Sequence, residues 1–148
     1  MIVNHKMNSE IIFCTPENLD EMVLAEQERN PKFINQDVQV YIKKIREHAS
    51  FLTSYSDKSC QGFVAYYCNN YASLCAFITL VLIVPEFRGK KIAHAMLKEV
   101  LNKIESRDFK ECRLEVDKDN LSAINLYAKL GFRVESCNGN VLSMAYIF

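Results

Sequence analysis

Hydrophobic and polar positions along the chain change period several times, and each change predicts an element. Residues 10–14 read as a short strand. Thr15-Pro16-Glu17 then predicts a helix start, with Thr15 as N-cap and Pro16 at the first helical position. That helix turns Leu19, Met22, Val23 and Glu26 to one face, runs towards Arg29 and stops before Pro31. Residues 30–37 have no clear period and are placed at the border of a binding cleft. A second amphipathic helix over 38–49 carries Val38, Tyr41, Ile42 and Ile45 on one face. Strands follow over 50–55, 61–68 and 71–84, separated by the polar turn at 56–59 and by Asn69-Asn70. Beyond a long helix, residues 111–117 alternate: Cys112, Leu114 and Val116 on one side, Arg113, Glu115 and Asp117 on the other. Residues 120–130 form a helix that Gly131 ends in a left-handed cap. A final hairpin, 132–137 and 140–148, turns across Asn138-Gly139, a type I′ signal.

The stretch 84–97 organises the rest. An apolar run over 74–84, interrupted only by Thr79, meets Pro85. Downstream, Ile92, Met96, Leu97, Val100, Leu101 and Ile104 recur at helical spacing. A buried strand therefore passes through a short basic loop into a helix that begins near Gly89. Such a junction directs unpaired N–H groups and the positive end of a helix dipole at one point. Arg88, Lys90 and Lys91 add charge there, so a phosphate or pyrophosphate is the expected guest. An ordinary strand–helix connection with surface lysines is the plainer alternative.

Composition narrows the class. The 148 residues suit one domain over 1–148 with a single sizeable core, and the equal numbers of acidic and basic side chains argue against nonspecific nucleic-acid binding. Six cysteines (Cys14, Cys60, Cys68, Cys75, Cys112, Cys137) show no zinc-ligand spacing, so reduced thiols in a cytoplasmic protein and no metal are expected. No signal-peptide core is seen, and the 74–84 run is too short to cross a bilayer, so no membrane partner is expected. His5 and His48 have no motif around them and read as surface residues.

Arg88-Gly89-Lys90-Lys91-Ile92-Ala93 resembles the Q/R-x-x-G-x-G/A signature of the GNAT acetyltransferase superfamily, which binds the pyrophosphate of acetyl-CoA. Pro85-Glu86-Phe87 before it and His94-Ala95-Met96-Leu97 after it fit that context. Lys91 stands where the pattern has its middle glycine. A residue in a helix's first turn has negative φ, so the Lys91 N–H is expected still to donate. The predicted order β-α-α-β-β-β-α-β-α-β-β is also that of the GNAT fold. The resemblance thus implies an α/β (α+β) domain with a mixed, mostly antiparallel sheet flanked by helices.

A second segment, Leu114-Glu115-Val116-Asp117-Lys118-Asp119-Asn120 with Ala123, Tyr127 and Gly131-Phe132, resembles the GNAT pattern "LEV…N…A…LY…GF". By that resemblance Asn120 contacts the cofactor and Tyr127 protonates the departing CoA thiolate. In the branch that acetylates ribosomal-protein amino termini, the matching glutamate is the general base, here Glu115. The resemblance also lays Val81, Leu82 and Ile83 along the pantetheine arm and sets His94 near phosphate. Each has a structural alternative: Asn120 as a helix cap, Tyr127 as a core aromatic, Glu115 as a solvent-facing charge.

Acetylating an amine needs a neutral nitrogen, which a carboxylate can provide by taking a proton. It also needs donors for charge developing on the acetyl oxygen, and backbone N–H groups on the strand before Pro85 can serve. Three functions follow. The first is acetyl transfer from acetyl-CoA to a small primary amine, amino-sugar or amino-acid-like. The second makes the acceptor a protein amino terminus, for which "LEVDKDN" speaks and the tight final hairpin does not. The third is a CoA-binding module without turnover. A homodimer is compatible with all three.

Overall fold

The structure, a computed structural model, describes residues 9–148, so His5 lies outside it. The elements are β1 (Ser9–Ile12), α1 (Leu19–Arg29), α2 (Val38–His48), β2 (Ser50–Ser56), β3 (Ser59–Tyr67), β4 (Cys75–Ile83), α3 (Ile92–Ser106), β5 (Glu111–Asp117), α4 (Leu121–Leu130), β6 (Arg133–Asn138) and β7 (Val141–Ile147). A short 3-10 turn, Pro85–Phe87, leads from β4 towards α3. The order is the one the periodicity predicts.

One seven-stranded sheet runs β1-β2-β3-β4-β5-β7-β6. Every pair is antiparallel except β4–β5. That parallel pair needs a crossover, and α3 makes it. α3 buries Ile92, Met96, Leu97, Val100, Leu101 and Ile104, a stripe at helical spacing, each worth about 1.5–3 kcal/mol of transfer from water. With α4 it covers one face of the sheet, over a core that includes Val64, Ile78, Leu114 and Met144.

α1 and α2 cover part of the other face, where Leu19, Val23, Ile42 and Ile45 meet Phe51, Phe63, Leu80 and Leu82. Asp37 caps α2 by accepting from the N–H groups of Gln39 and Val40, and Arg46 of α2 pairs with Asp20 of α1. This second core takes nothing from β5, β6 or β7. Glu115 and Asp117 are accordingly exposed, and so is all of β6 at the edge of the sheet.

Two features of β4 position the site. Its register against β3 slips at Thr79, since Ala65 pairs with Leu80 and Tyr66 with Ile78. Thr79 is the extra residue of a bulge. Ala76 and Ile78 before it face the α3/α4 core, whereas Leu80 and Leu82 after it face the α1/α2 core. Tyr41 of α2 holds the bulge. Its hydroxyl donates to the Thr79 carbonyl at 3.1 Å and lies 2.8 Å from the Thr79 hydroxyl. The second feature is a fork. β4 pairs with β5 only from Cys75 to Ile78, while β5 runs on to Asp117 against β7. From Thr79 to Ile83 the β5-facing edge of β4 has no strand partner among the described residues.

Several boundaries differ from the sequence reading. α1 starts at Leu19, with Asn18 rather than Thr15 before it. Leu19 is fully buried, so docking of that side chain selects among equivalent local start signals. The Asn69-Asn70 turn is part of a longer link, in which the Leu74 N–H donates to the Asn70 carbonyl and Leu74 takes a φ of 53°. The last hairpin turns at Gly139-Asn140, because Asn138 pairs with Val141. Of those two residues φ is positive at Gly139 alone (62°). A type I′ turn needs both, so this is the glycine-first class.

Candidate active site

The loop after β4 takes its shape from two left-handed residues, Gly89 (φ 77°) and Lys91 (φ 61°). Lys91 is the residue before α3, which therefore begins at Ile92 and not near Gly89. The expectation of a negative φ at Lys91 is corrected. The position is left-handed, the geometry that the motif's glycine would accept without strain, and a lysine there costs about 1–2 kcal/mol. The first bond inside α3 runs from the Ala95 N–H to the Lys91 carbonyl. The N–H groups of Ile92, Ala93 and His94 precede it and have no intrahelical acceptor.

They open on a cavity of about 900 Å³. All the expected cofactor residues line it: Val81, Leu82 and Ile83 from the free edge of β4, Arg88 to His94 from the loop and first turn of α3, and Asn120 before α4. Tyr127 lines it as well. Arg88, Lys90, Lys91 and Lys129 supply positive charge, and Glu26 is the lone carboxylate among the described lining residues. The cavity is thus cationic at one end and bordered by an unpaired strand edge at the other. That donor set fits a long ligand with a phosphorylated end and an amide-bearing arm, as CoA is.

Individual side chains divide between structural and chemical work. The Asn120 carbonyl oxygen accepts from the Ala123 N–H at 3.2 Å, so Asn120 does cap α4, and its amide donors remain free. Tyr127 is 9% exposed and packs edge-on against Phe132. No protein group among the described residues accepts from its hydroxyl, and burial pushes that hydroxyl up to about 12. Arg88 is engaged within the protein, its Nε donating to the Ile83 carbonyl (2.9 Å) and one Nη to Glu26 (2.8 Å). His48 is exposed beside Glu47.

Glu115 is the one candidate outside the cavity. It is exposed on the sheet face that α1 and α2 leave bare, opposite Ser143 of β7. It directly follows Leu114, the last β5 residue paired with β4, and so stands at the fork. Sequence reasoning missed Glu26, Phe33 and the α4 residues Ser122 and Leu126, which also line the cavity. The aperiodic 30–37 segment was the available signal for Phe33. The spacing of Ser122, Ala123, Leu126 and Tyr127, one helical face, was the signal for α4.

Comparisons with known proteins agree with this architecture. The model of the acetyltransferase (GNAT) family matches residues 15–132. Spermidine N(1)-acetyltransferase of Thermoplasma acidophilum is 31% identical over 90 residues, covering 61% of this chain and 54% of that protein. N-alpha-acetyltransferase 30 of Schizosaccharomyces pombe is 35% identical over 60 residues, 40% of each chain. The chain thus spans about half or less of the length of these curated relatives. The crystal structure of PaiA N-acetyltransferase from Thermoplasma acidophilum in complex with coenzyme A superposes with a TM-score of 0.77 at 22% identity, over 96% of this chain and 100% of that one, a likeness of fold. With most of its length, residues 15–132, matched by the family model, this chain belongs to the GNAT family of acetyltransferases.

Proposed function

We propose that this protein is an acetyl-CoA-dependent N-acetyltransferase that moves the acetyl group directly to the primary amine of a small metabolite, amino-sugar or amino-acid-like. The observation that carries the reading is a single cavity joining the free N–H groups of α3 to the unpartnered Tyr127 hydroxyl along the open edge of β4. Acetyl-CoA supplies a thioester carbonyl open to attack by a neutral amine. The free N–H groups of β4 between Thr79 and Ile83 are the donors for charge on the acetyl oxygen. The acceptor nitrogen gives up a proton, and Glu115 at the fork takes it from the exposed face. The sulfur gains a proton from the Tyr127 hydroxyl, a role supported by that residue's place in the cavity lining.

A protein amino terminus as acceptor is the second reading. The uncovered face of β5 and β7 beside Glu115 favours it, since no helix blocks an extended peptide there. The tight Gly139-Asn140 turn, which adds no long loop to the acceptor side, favours a small amine. Release of CoA from acetyl-CoA against a broad panel of amines and short peptides tests both. Far higher kcat/KM for peptides than for any amine replaces the first reading with the second. A CoA-dependent rise in melting temperature tests the cavity itself, with about 2.7 kcal/mol of stabilisation expected at roughly 100 times Kd. Ala93→Asp should abolish the rise by setting negative charge at the α3 N-terminus. No rise with acetyl-CoA, CoA or a longer acyl-CoA would sink the proposal.

A further inference from the structure

The Arg88 guanidinium is what the loop motif would aim at phosphate, yet two of its three nitrogens are engaged elsewhere. Nε donates to the carbonyl of Ile83, the last residue of β4, and Nη2 donates to Oε1 of Glu26 on α1. Glu26 is 8% exposed and 62 residues from Arg88 in the chain. The same Oε1 accepts from Arg29 at 2.7 and 3.1 Å, so the carboxylate is fixed from its own helix as well. Arg88 thereby fastens together a helix, a strand end and the loop. The strand end is that of the open edge, and the loop carries the free N–H groups. A planar fork holding two acceptors on one side is an orienting device, which a point charge on a flexible stem cannot imitate.

Resting on the proposed function only in that the ligand is CoA, we infer that Glu26 is a positioning residue, acting through Arg88 to set the end of β4 and its loop for cofactor binding. Phosphate contact then falls to the N–H groups of Ile92, Ala93 and His94 and to the side chains of Lys90 and Lys91. This separates two roles that the motif combines in one arginine.

Calorimetric titration of the full chain with CoA, at about 50 and 300 mM salt, tests it, because a lost phosphate contact flattens the salt dependence whereas a lost bracket does not. Arg88→Lys and Glu26→Gln should each weaken CoA by about tenfold at either salt concentration. The double variant should be no weaker than either single one. Lys90→Ala with Lys91→Ala should weaken binding chiefly at low salt. Arg88 is half-exposed, so Arg88→Lys reports even if Glu26→Gln folds poorly. Wild-type affinity in Arg88→Lys would mean that charge alone matters and would overturn the inference. Tighter binding in Glu26→Gln would make the carboxylate a competitor of phosphate and would do the same. Failure of the wild-type chain to bind CoA would instead bring down the proposed function, and this inference with it.

Discussion

Tyr127→Phe keeps the ring and its contact with Phe132 while removing the hydroxyl. Since that hydroxyl has no protein partner among the described residues, its loss strands no buried donor or acceptor, and stability should change by less than about 0.5 kcal/mol. Catalysis should respond differently. Burial pushes the phenol up to about 12, whereas a leaving thiol has an ordinary value of about 8.5. Complete transfer from Tyr127 to the sulfur is then uphill by several kcal/mol, at about 1.36 kcal/mol for each tenfold step. The phenol therefore acts chiefly by donating a hydrogen bond to the departing sulfur, with the proton passing over only as the thiolate leaves. An acid so far from operating pH works at the low end of general acid catalysis, about 10²–10³-fold. The assay is steady-state release of CoA by wild type and Tyr127→Phe from pH 6 to 10, with melting temperature and CoA affinity alongside. Because the group stays protonated until about 12, wild-type turnover should show no descending alkaline limb from Tyr127 within that range. A Tyr127→Phe enzyme within threefold of wild type, or a wild-type limb near pH 9 that the variant abolishes, would refute the reasoning.

Glu115→Gln should cost about 10²-fold or more near pH 7 and progressively less at high pH, where the amine deprotonates unaided; a pH-independent or absent effect would leave Glu115 a solvent-facing charge. Lys91→Gly should relieve left-handed strain and stabilise the ligand-free chain by up to about 1 kcal/mol in urea unfolding, while CoA binds several-fold more weakly for want of a cation. Gly62→Ala should destabilise by roughly 2–4 kcal/mol, because the added Cβ runs into the Leu82 carbonyl oxygen and would wedge β3 from β4; a wild-type urea midpoint would show that β4 yields. Burial pushes the Cys112 thiol far up, so the folded chain keeps a proton that the unfolded chain releases above about 8.5, and stability must fall as pH rises through that value. This thiol's share of the loss should reach roughly 2 kcal/mol by pH 10, and Cys112→Ala should remove that share while the Cys60, Cys68 and Cys75 thiols, also pushed up by burial, keep the rest.

The legible parts of the chain are those where local chemistry and burial agree. β5 was readable to the residue because its alternation matches a strand with one buried face. α4 was readable because Asn120 caps its start and Gly131, at φ 113°, ends it. Illegible features depend on partners distant in sequence. Glu26 shows itself as an inward position near the end of α1, but nothing local reveals that Arg88 meets it. Thr79 was visible as the single polar interruption of an apolar run, though whether it turns in, turns out or bulges is decided by pairing with Tyr66 and Ala65. At Lys91 the loop's need for a left-handed residue outweighs the preference of the side chain, a conflict the sequence signals only as a departure from a motif.

The bulge at Thr79 also governs how evolution can alter this strand. It shifts the strand's parity, so that even-numbered side chains face the α3/α4 layer before it and the α1/α2 layer after it while the pairing with β3 stays in step. Removing Thr79 itself would make Ile78 and Leu80 neighbours on opposite faces, so the pairing with β3 and both layers would survive and only the bulge would go. The link between Tyr67 and Cys75 is anchored as well, since Cys68 is buried in the α3/α4 core and the Leu74 carbonyl accepts from the Lys110 and Glu111 N–H groups. The bulge is thus the one place along β4 where the strand can lose a residue without moving a core side chain to the wrong face.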